Sequence, residues 1–217
     1  MQIGVVFDFD GVLVDTEPLH LAAFQSVLGS RGLPLGEREY YDLFLGFDDA
    51  GTFREYERIH HVTIDDIPGL MQQKTEAFIA SLQHDNVFYD GSVDTVRRLG
   101  DSFPLAIASG SRRDEILTIL KAAGLADAFI AIVSADDVVR SKPFPDAYVA
   151  AAAALGFEPR RCLAIEDSPG GLGAARAAGL RTVGVLTTSS RSALADADHI
   201  VDRVSDVTAE LVRQIVS

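Results

Sequence analysis

The sequence predicts an α/β fold, a doubly wound parallel sheet covered on both faces by helices, with a helical segment inserted after the first strand. Three observations predict it. Four short apolar runs at residues 3–7, 105–108, 163–165 and 182–186 are nearly continuous rather than alternating, as strands buried on both faces require. Helical patterns follow, at 114–123, 146–155, 169–178 and 207–216, giving the β-α rhythm of a parallel sheet. Residues 17–85 break that rhythm with helical patterns and candidate turns at Gly32-Leu33-Pro34 and Ile67-Pro68-Gly69.

Taken in order, the first strand ends at Asp8, the chain departs into the insertion, and it returns before Phe88-Tyr89-Asp90-Gly91. Residues 1–15 and 87–217 are therefore assigned to an α/β core and residues 16–86 to a small helical cap. An insertion leaving at the carboxyl end of a strand leaves where ligands bind in such folds, so it is expected to act as a lid.

Composition excludes several functions. The 217 residues are 47% hydrophobic and 24% charged, the usage of an ordinary globular protein. Acidic residues outnumber basic ones 32 to 19, for a net charge of −13, which repels nucleic acid and anionic membranes. The same field repels a phosphorylated metabolite, so such a substrate needs local cations and donors. The N-terminal run has no basic stretch followed by an apolar segment and cleavage site, and no apolar run approaches the ~20 residues of a spanning helix. A soluble cytoplasmic protein is expected, as a monomer or weak dimer. The single cysteine, Cys162, lies in an apolar run and reads as a small buried hydrophobe.

The chemistry-bearing residues gather at strand ends. Asp8-Phe9-Asp10-Gly11 places two carboxylates two residues apart after the first strand; such a pair marks a bound cation, a shared proton or an Asp-capped turn. Ser109-Gly110-Ser111-Arg112-Arg113 follows the next strand and either holds an anion or caps a helix. Lys142 precedes Pro143 and Asp146, and on its own reads as a solvated lysine. Glu166-Asp167-Ser168 repeats the acidic pair before another helix, where capping is again an alternative. Four such features at the same end of consecutive strands point to one site. His60-His61 in the insertion reads as solvated, residues 150–154 as a close-packed alanine face, and Arg112-Arg113 as an exposed helix start, with substrate contact as the alternative because the pair follows Ser111.

These four segments, in this order, resemble the four motifs of the haloacid dehalogenase superfamily, whose core is Rossmann-like. Thr16-Glu17-Pro18-Leu19-His20 and the insertion are similar to the subgroup of β-phosphoglucomutases, phosphoglycolate phosphatases and sugar-phosphate phosphatases. The resemblance implies that Asp8 is the nucleophile forming an aspartyl phosphate and that Asp10 is the general acid and base. It implies that Ser109, Gly110, Ser111 and Lys142 bind phosphate, and that His20 and Lys74 in the cap contact substrate. It implies a magnesium ion held by Asp8, the carbonyl of Asp10, and the Glu166-Asp167 pair. Dehalogenating relatives lack both the acid and the metal, so Asp10 and Glu166-Asp167 argue against dehalogenation.

The expected activity is hydrolysis of a small phosphorylated metabolite, with a phosphosugar mutase as the alternative. Asp49 stands where the mutase pattern carries an arginine, and a carboxylate there repels a second phosphate. A phospho-acceptor receiver domain also combines acids, a hydroxyl and a lysine, but it is shorter and has neither the insertion nor a second acidic pair. A catalytically silent binding module is the remaining alternative.

Overall fold

The computed structural model describes residues 2–82 and 87–217. In chain order the elements are β1 (Gly4–Phe7), α1 (Glu17–Gly29), α2 (Glu37–Leu43), α3 (Asp49–His60), α4 (Ile67–Ser81), α5 (Ser92–Gly100), β2 (Leu105–Ala108), α6 (Arg113–Ala122), β3 (Ala131–Val133), α7 (Asp146–Leu155), β4 (Cys162–Glu166), α8 (Pro169–Ala177), β5 (Arg181–Val185), β6 (His199–Val201) and α9 (Ala209–Val216). Two compact units form, one of Met1–Asp15 with Phe88–Ser217 and the other of Thr16–Val87. The expected boundary at residue 86 lies outside the described residues. Among the described residues no helix is long and apolar enough to cross a membrane.

The α/β unit is a six-stranded sheet in the order β3-β2-β1-β4-β5-β6, parallel throughout. Every residue of β1, β2 and β4 is buried, which is why these runs read as continuously apolar. On one face, Val6, Ala106 and Ala164 pack against Tyr148, Ala151 and Ala152 of α7. Small side chains on both surfaces bring helix and sheet close. Only Ala151 and Ala152 of the alanine run are fully buried, whereas Ala153 and Ala154 are exposed, so the expected alanine face is narrower than the run. Register places Phe7 level with Ile107 of β2 and Ile165 of β4. Asp8, Ser109 and Glu166-Asp167 therefore leave adjacent strands at the same edge, beside the point where strand order reverses.

Two edge strands, β3 and β6, were not expected. The Ile67-Pro68-Gly69 turn is instead the start of α4, with Asp66 accepting a hydrogen bond from the Gly69 N–H at 3.0 Å. Proline fits a first helical turn because the N–H it lacks would have no intrahelical partner there. Arg113 is not simply solvated: its guanidinium donates to Asp137 at 2.6 Å and to the Ile132 carbonyl at 2.8 Å.

The helical unit has its own core of Leu21, Phe24, Leu28, Phe44, Phe53, Tyr56 and Leu70. His60 and His61 are exposed, as read, and His60 in addition stacks on Tyr56 with its Nε2 2.6 Å from Glu39.

Candidate active site

Asp8 follows β1 and is anchored by its backbone N–H, which donates to the Ile165 carbonyl at 2.9 Å. Its carboxylate accepts from the Phe9 N–H at 2.7 Å and meets the Lys142 ammonium at 2.8 Å. Burial, followed by repulsion from Glu166, pushes the Asp8 carboxyl well above its ordinary range, against the pull of Lys142.

Lys142 bridges two acids, lying 2.6 Å from Glu166 as well as 2.8 Å from Asp8. Burial works against the ammonium, but Asp8 and Glu166 outweigh it and hold the pKa above the usual lysine value. The solvated-lysine reading is therefore incorrect. Glu166 is completely buried. Its Oε1 accepts from Lys142 at 2.6 Å and from the Tyr148 hydroxyl at 2.7 Å. Its Oε2 accepts from the N–H groups of Asp167 and Ser168 and from the Ser168 hydroxyl. Burial alone would raise Glu166, but Lys142 and these donors hold it below the usual carboxylate range. Ser168 also caps α8 by accepting from the Gly171 N–H. A Cβ at Gly171 would overlap the Glu166 carboxylate, so glycine is what allows helix and acid to approach this closely.

Asp167 lies beside them. Burial and the Glu166 charge push its carboxyl up to about 7. The Thr188 hydroxyl donates to its Oδ2, and the neighbouring Thr187 hydroxyl donates to the Gly11 carbonyl. Gly11 has φ +76°, and a Cβ there would collide with the Asp167 carboxylate. Tyr148, Thr187 and Thr188 were not expected from the sequence. Tyr148 is a buried polar side chain in an alanine-rich helix, and the threonines follow β5 at the same sheet edge as the other motifs.

An oxygen from each of Asp8, Glu166 and Asp167 lies within 4.8 Å of the others, and all three residues are buried. Three carboxylates against the single Lys142 ammonium leave a formal surplus of two negative charges. Burial first, and repulsion within that surplus second, raise Asp8 and Asp167. Hard oxygen donors with this charge suit a divalent cation.

Asp10 points its carboxylate elsewhere. Its Oδ2 accepts from the Ser111 hydroxyl at 2.5 Å and from the Ser109 hydroxyl at 3.3 Å, while the Ser111 N–H donates to the Ser109 oxygen at 2.9 Å. Ser109 is therefore not the cap of α6, whose N-cap is Arg112. Gly110 is exposed, with open space where a Cβ would stand. The α/β unit thus brings Asp8, Asp10, Ser109, Ser111, Lys142, Glu166 and Asp167 to one sheet edge.

His20 and Lys74 belong to the helical unit and engage each other. The Lys74 ammonium is completely buried, lies 2.9 Å from Asp49 and 2.7 Å from His20 Nδ1, and stands over the rings of Phe24 and Phe78. His20 stacks on Phe78 at 4.3 Å. Asp49, expected as a bare repelling charge, is one half of this buried ion pair.

Comparison with known proteins agrees with this geometry. The haloacid dehalogenase-like hydrolase family matches residues 5–185. The fructose-1-phosphate phosphatase YqaB of Escherichia coli is 35% identical over 186 residues, covering 84% of this chain and 95% of that protein. A β-phosphoglucomutase of Bacillus subtilis is 28% identical, covering 97% and 94% of the two chains. The crystal structure of CbbY from Rhodobacter sphaeroides in complex with phosphate superposes with a TM-score of 0.88 at 27% identity, over 98% of this chain and all of that one. The ordered motifs, the parallel sheet that gathers them at one edge and these matches together place the chain in the haloacid dehalogenase-like hydrolase family, in its phosphoglucomutase- and phosphatase-like subgroup.

Proposed function

We propose that this protein is a magnesium-dependent phosphatase of small sugar phosphates, working through an aspartyl phosphate on Asp8. The reading rests above all on Lys142, whose half-buried ammonium joins Asp8 to Glu166 at 2.8 and 2.6 Å. A cation so placed holds the nucleophile in one orientation and offers charge to an approaching phosphoryl group. Asp8 and Asp167 are the proposed magnesium ligands. Both Glu166 oxygens already accept from Lys142, Tyr148 and the start of α8, so Glu166 fixes the geometry of the residues around it. Bound magnesium supplies neutralisation of charge on the phosphoryl oxygens.

An Asp8 oxygen attacks phosphorus, forming the O–P bond as the bond to the leaving alkoxide breaks, and Asp10 donates the proton that the alkoxide takes up. Water then attacks phosphorus and gives its proton to Asp10, and the Asp8–P bond breaks to release phosphate. Ser109 and the Gly110 N–H bind phosphoryl oxygens. Hydrolysis is favoured over mutase chemistry because Asp49 neutralises Lys74. The pair adds no net cation for the second phosphate that a bisphosphate intermediate carries.

The test is to assay fructose 1-phosphate hydrolysis and β-glucose 1-phosphate isomerisation with magnesium and with chelator. Magnesium-dependent phosphate release is expected to be abolished in Asp8→Asn, a near-isosteric change that keeps the fold. Isomerisation faster than any hydrolysis would overturn the phosphatase reading, and an active Asp8→Asn protein would overturn the nucleophile.

A further inference from the structure

Two serine hydroxyls face Asp10, and they are not equivalent. The Ser111 hydroxyl donates to Asp10 Oδ2 at 2.5 Å, whereas the Ser109 hydroxyl reaches the same oxygen only at 3.3 Å. A hydroxyl has one proton to give, and a charged acceptor strengthens the shorter bond disproportionately. The Ser111 N–H also donates to the Ser109 oxygen at 2.9 Å, which occupies a lone pair there and turns the Ser109 proton outward. Ser109 is completely buried among β2, β3 and the Asp10 loop, with its N–H donating to the Val133 carbonyl at 2.9 Å. One residue thus has a weakly committed proton on a rigid mount, and the other has its proton committed to the carboxylate.

We propose that Ser111 is a positioning residue for Asp10, its hydroxyl fixing the carboxylate that exchanges protons with the leaving group, while Ser109 keeps its proton for the phosphoryl oxygens. This rests on the reading of Asp10 as the general acid, and it reassigns Ser111 from phosphate binding to orientation. The Ser111 backbone serves both roles, because its N–H sets the direction of the Ser109 hydroxyl. The carboxylate is otherwise carried on a short loop that ends at Val14, where Asp10 and Val14 form an isolated bridge. Truncating the Ser111 hydroxyl therefore leaves the loop in place and removes the shorter of the two serine hydrogen bonds that orient the carboxylate. Misplacement on this scale costs transition-state stabilisation without costing ground-state binding.

The experiment compares wild type, Ser111→Ala, Ser111→Thr, Asp10→Asn and Ser111→Ala with Asp10→Asn. Each is assayed with magnesium on phenyl phosphate and on p-nitrophenyl phosphate, which has the better leaving group, and each is titrated with inorganic phosphate as a competitive inhibitor. For Ser111→Ala, kcat/KM on phenyl phosphate is expected to fall about 10- to 100-fold, with a smaller fall on p-nitrophenyl phosphate, whose phenolate needs less help from an acid. The inhibition constant of phosphate should stay within about threefold, Ser111→Thr should recover most of the rate, and the alanine should add nothing once Asp10 is Asn. A raised phosphate inhibition constant with equal losses on both substrates would overturn the proposal and return Ser111 to phosphate binding. So would multiplicative losses in the double variant. An Asp10→Asn protein as active as wild type would instead overturn the acid reading itself, and no turnover by the wild type would overturn the phosphatase reading beneath both.

Discussion

Replacing Asp167 by Asn should stabilise the metal-free protein at alkaline pH. The carboxyl sits at about 7 because burial and the Glu166 charge oppose its ionisation. In the unfolded chain it titrates near the ordinary Asp value of about 3.9. Between those values the folded state holds a proton that the unfolded state has lost, so stability falls as pH rises through the window and is level above it. The slope is about 1.4 kcal/mol per pH unit, giving about 4 kcal/mol over the whole window and about 3 kcal/mol between pH 5 and pH 8. Asparagine keeps the shape and an acceptor for the Thr188 hydroxyl but carries no proton to lose. Asp8 is raised partly by the Asp167 charge, so relief of that repulsion acts in the same direction. The assay is urea unfolding in chelator at pH 5 and pH 8. The stability of the variant relative to wild type should improve by about 3 kcal/mol from the lower pH to the higher. Saturating magnesium at pH 8 should return about 3 kcal/mol to the wild type at a hundredfold excess over Kd, and little to the variant. Parallel pH curves for the two proteins would refute the reasoning.

Removing the carboxylate of Asp49 with alanine takes away the charge 2.9 Å from the buried Lys74 ammonium, an expected cost of up to about 3–5 kcal/mol in thermal or urea unfolding. Adding Lys74→Met to that variant should recover most of the loss, and a single variant as stable as wild type would exclude a charged Lys74. Gly171→Ala forces a methyl against the Glu166 carboxylate and should destabilise by about 1–3 kcal/mol while slowing phosphate release. Gly170→Ala, where nothing lies within 4 Å of the new Cβ, should change stability by less than about 1 kcal/mol; similar losses at both glycines would exclude the crowding.

The central strands could be read from sequence because burial on both faces leaves no polar residue to interrupt them. The edge strands β3 and β6 have three residues each and only one fully buried residue apiece, too short and too mixed to carry a period. The start of α4 was misread because proline and glycine punctuate turns and also begin helices, and the distinction lay in the side chain of Asp66. At the site, the acids and Ser109 could be read because each follows a strand, and Lys142 only through its place in the order of the motifs. What they touch could not. The partner of Ser111 is 101 residues away in sequence, the Tyr148 hydroxyl serves a residue on another element, and the charge of Lys74 is cancelled by Asp49 from a different helix.

The position of β1 in the sheet has a consequence for how the chain is made. Its hydrogen-bonding partners are β2, with Val5 opposite Leu105, and β4, with Gly4 opposite Cys162. At about 5–20 residues per second of synthesis, the roughly 100 residues separating β1 from its first partner take about 5–20 s to emerge. Throughout that interval an apolar strand with two open edges is on the ribosome surface, the circumstance in which chains pair with the wrong neighbour. The helices that follow form a compact unit within residues 16–87 and have their own apolar core, so they can close while β1 waits. Nascent-chain folding of this protein should therefore begin with its second unit, and the sheet should assemble only after β4 has left the exit tunnel.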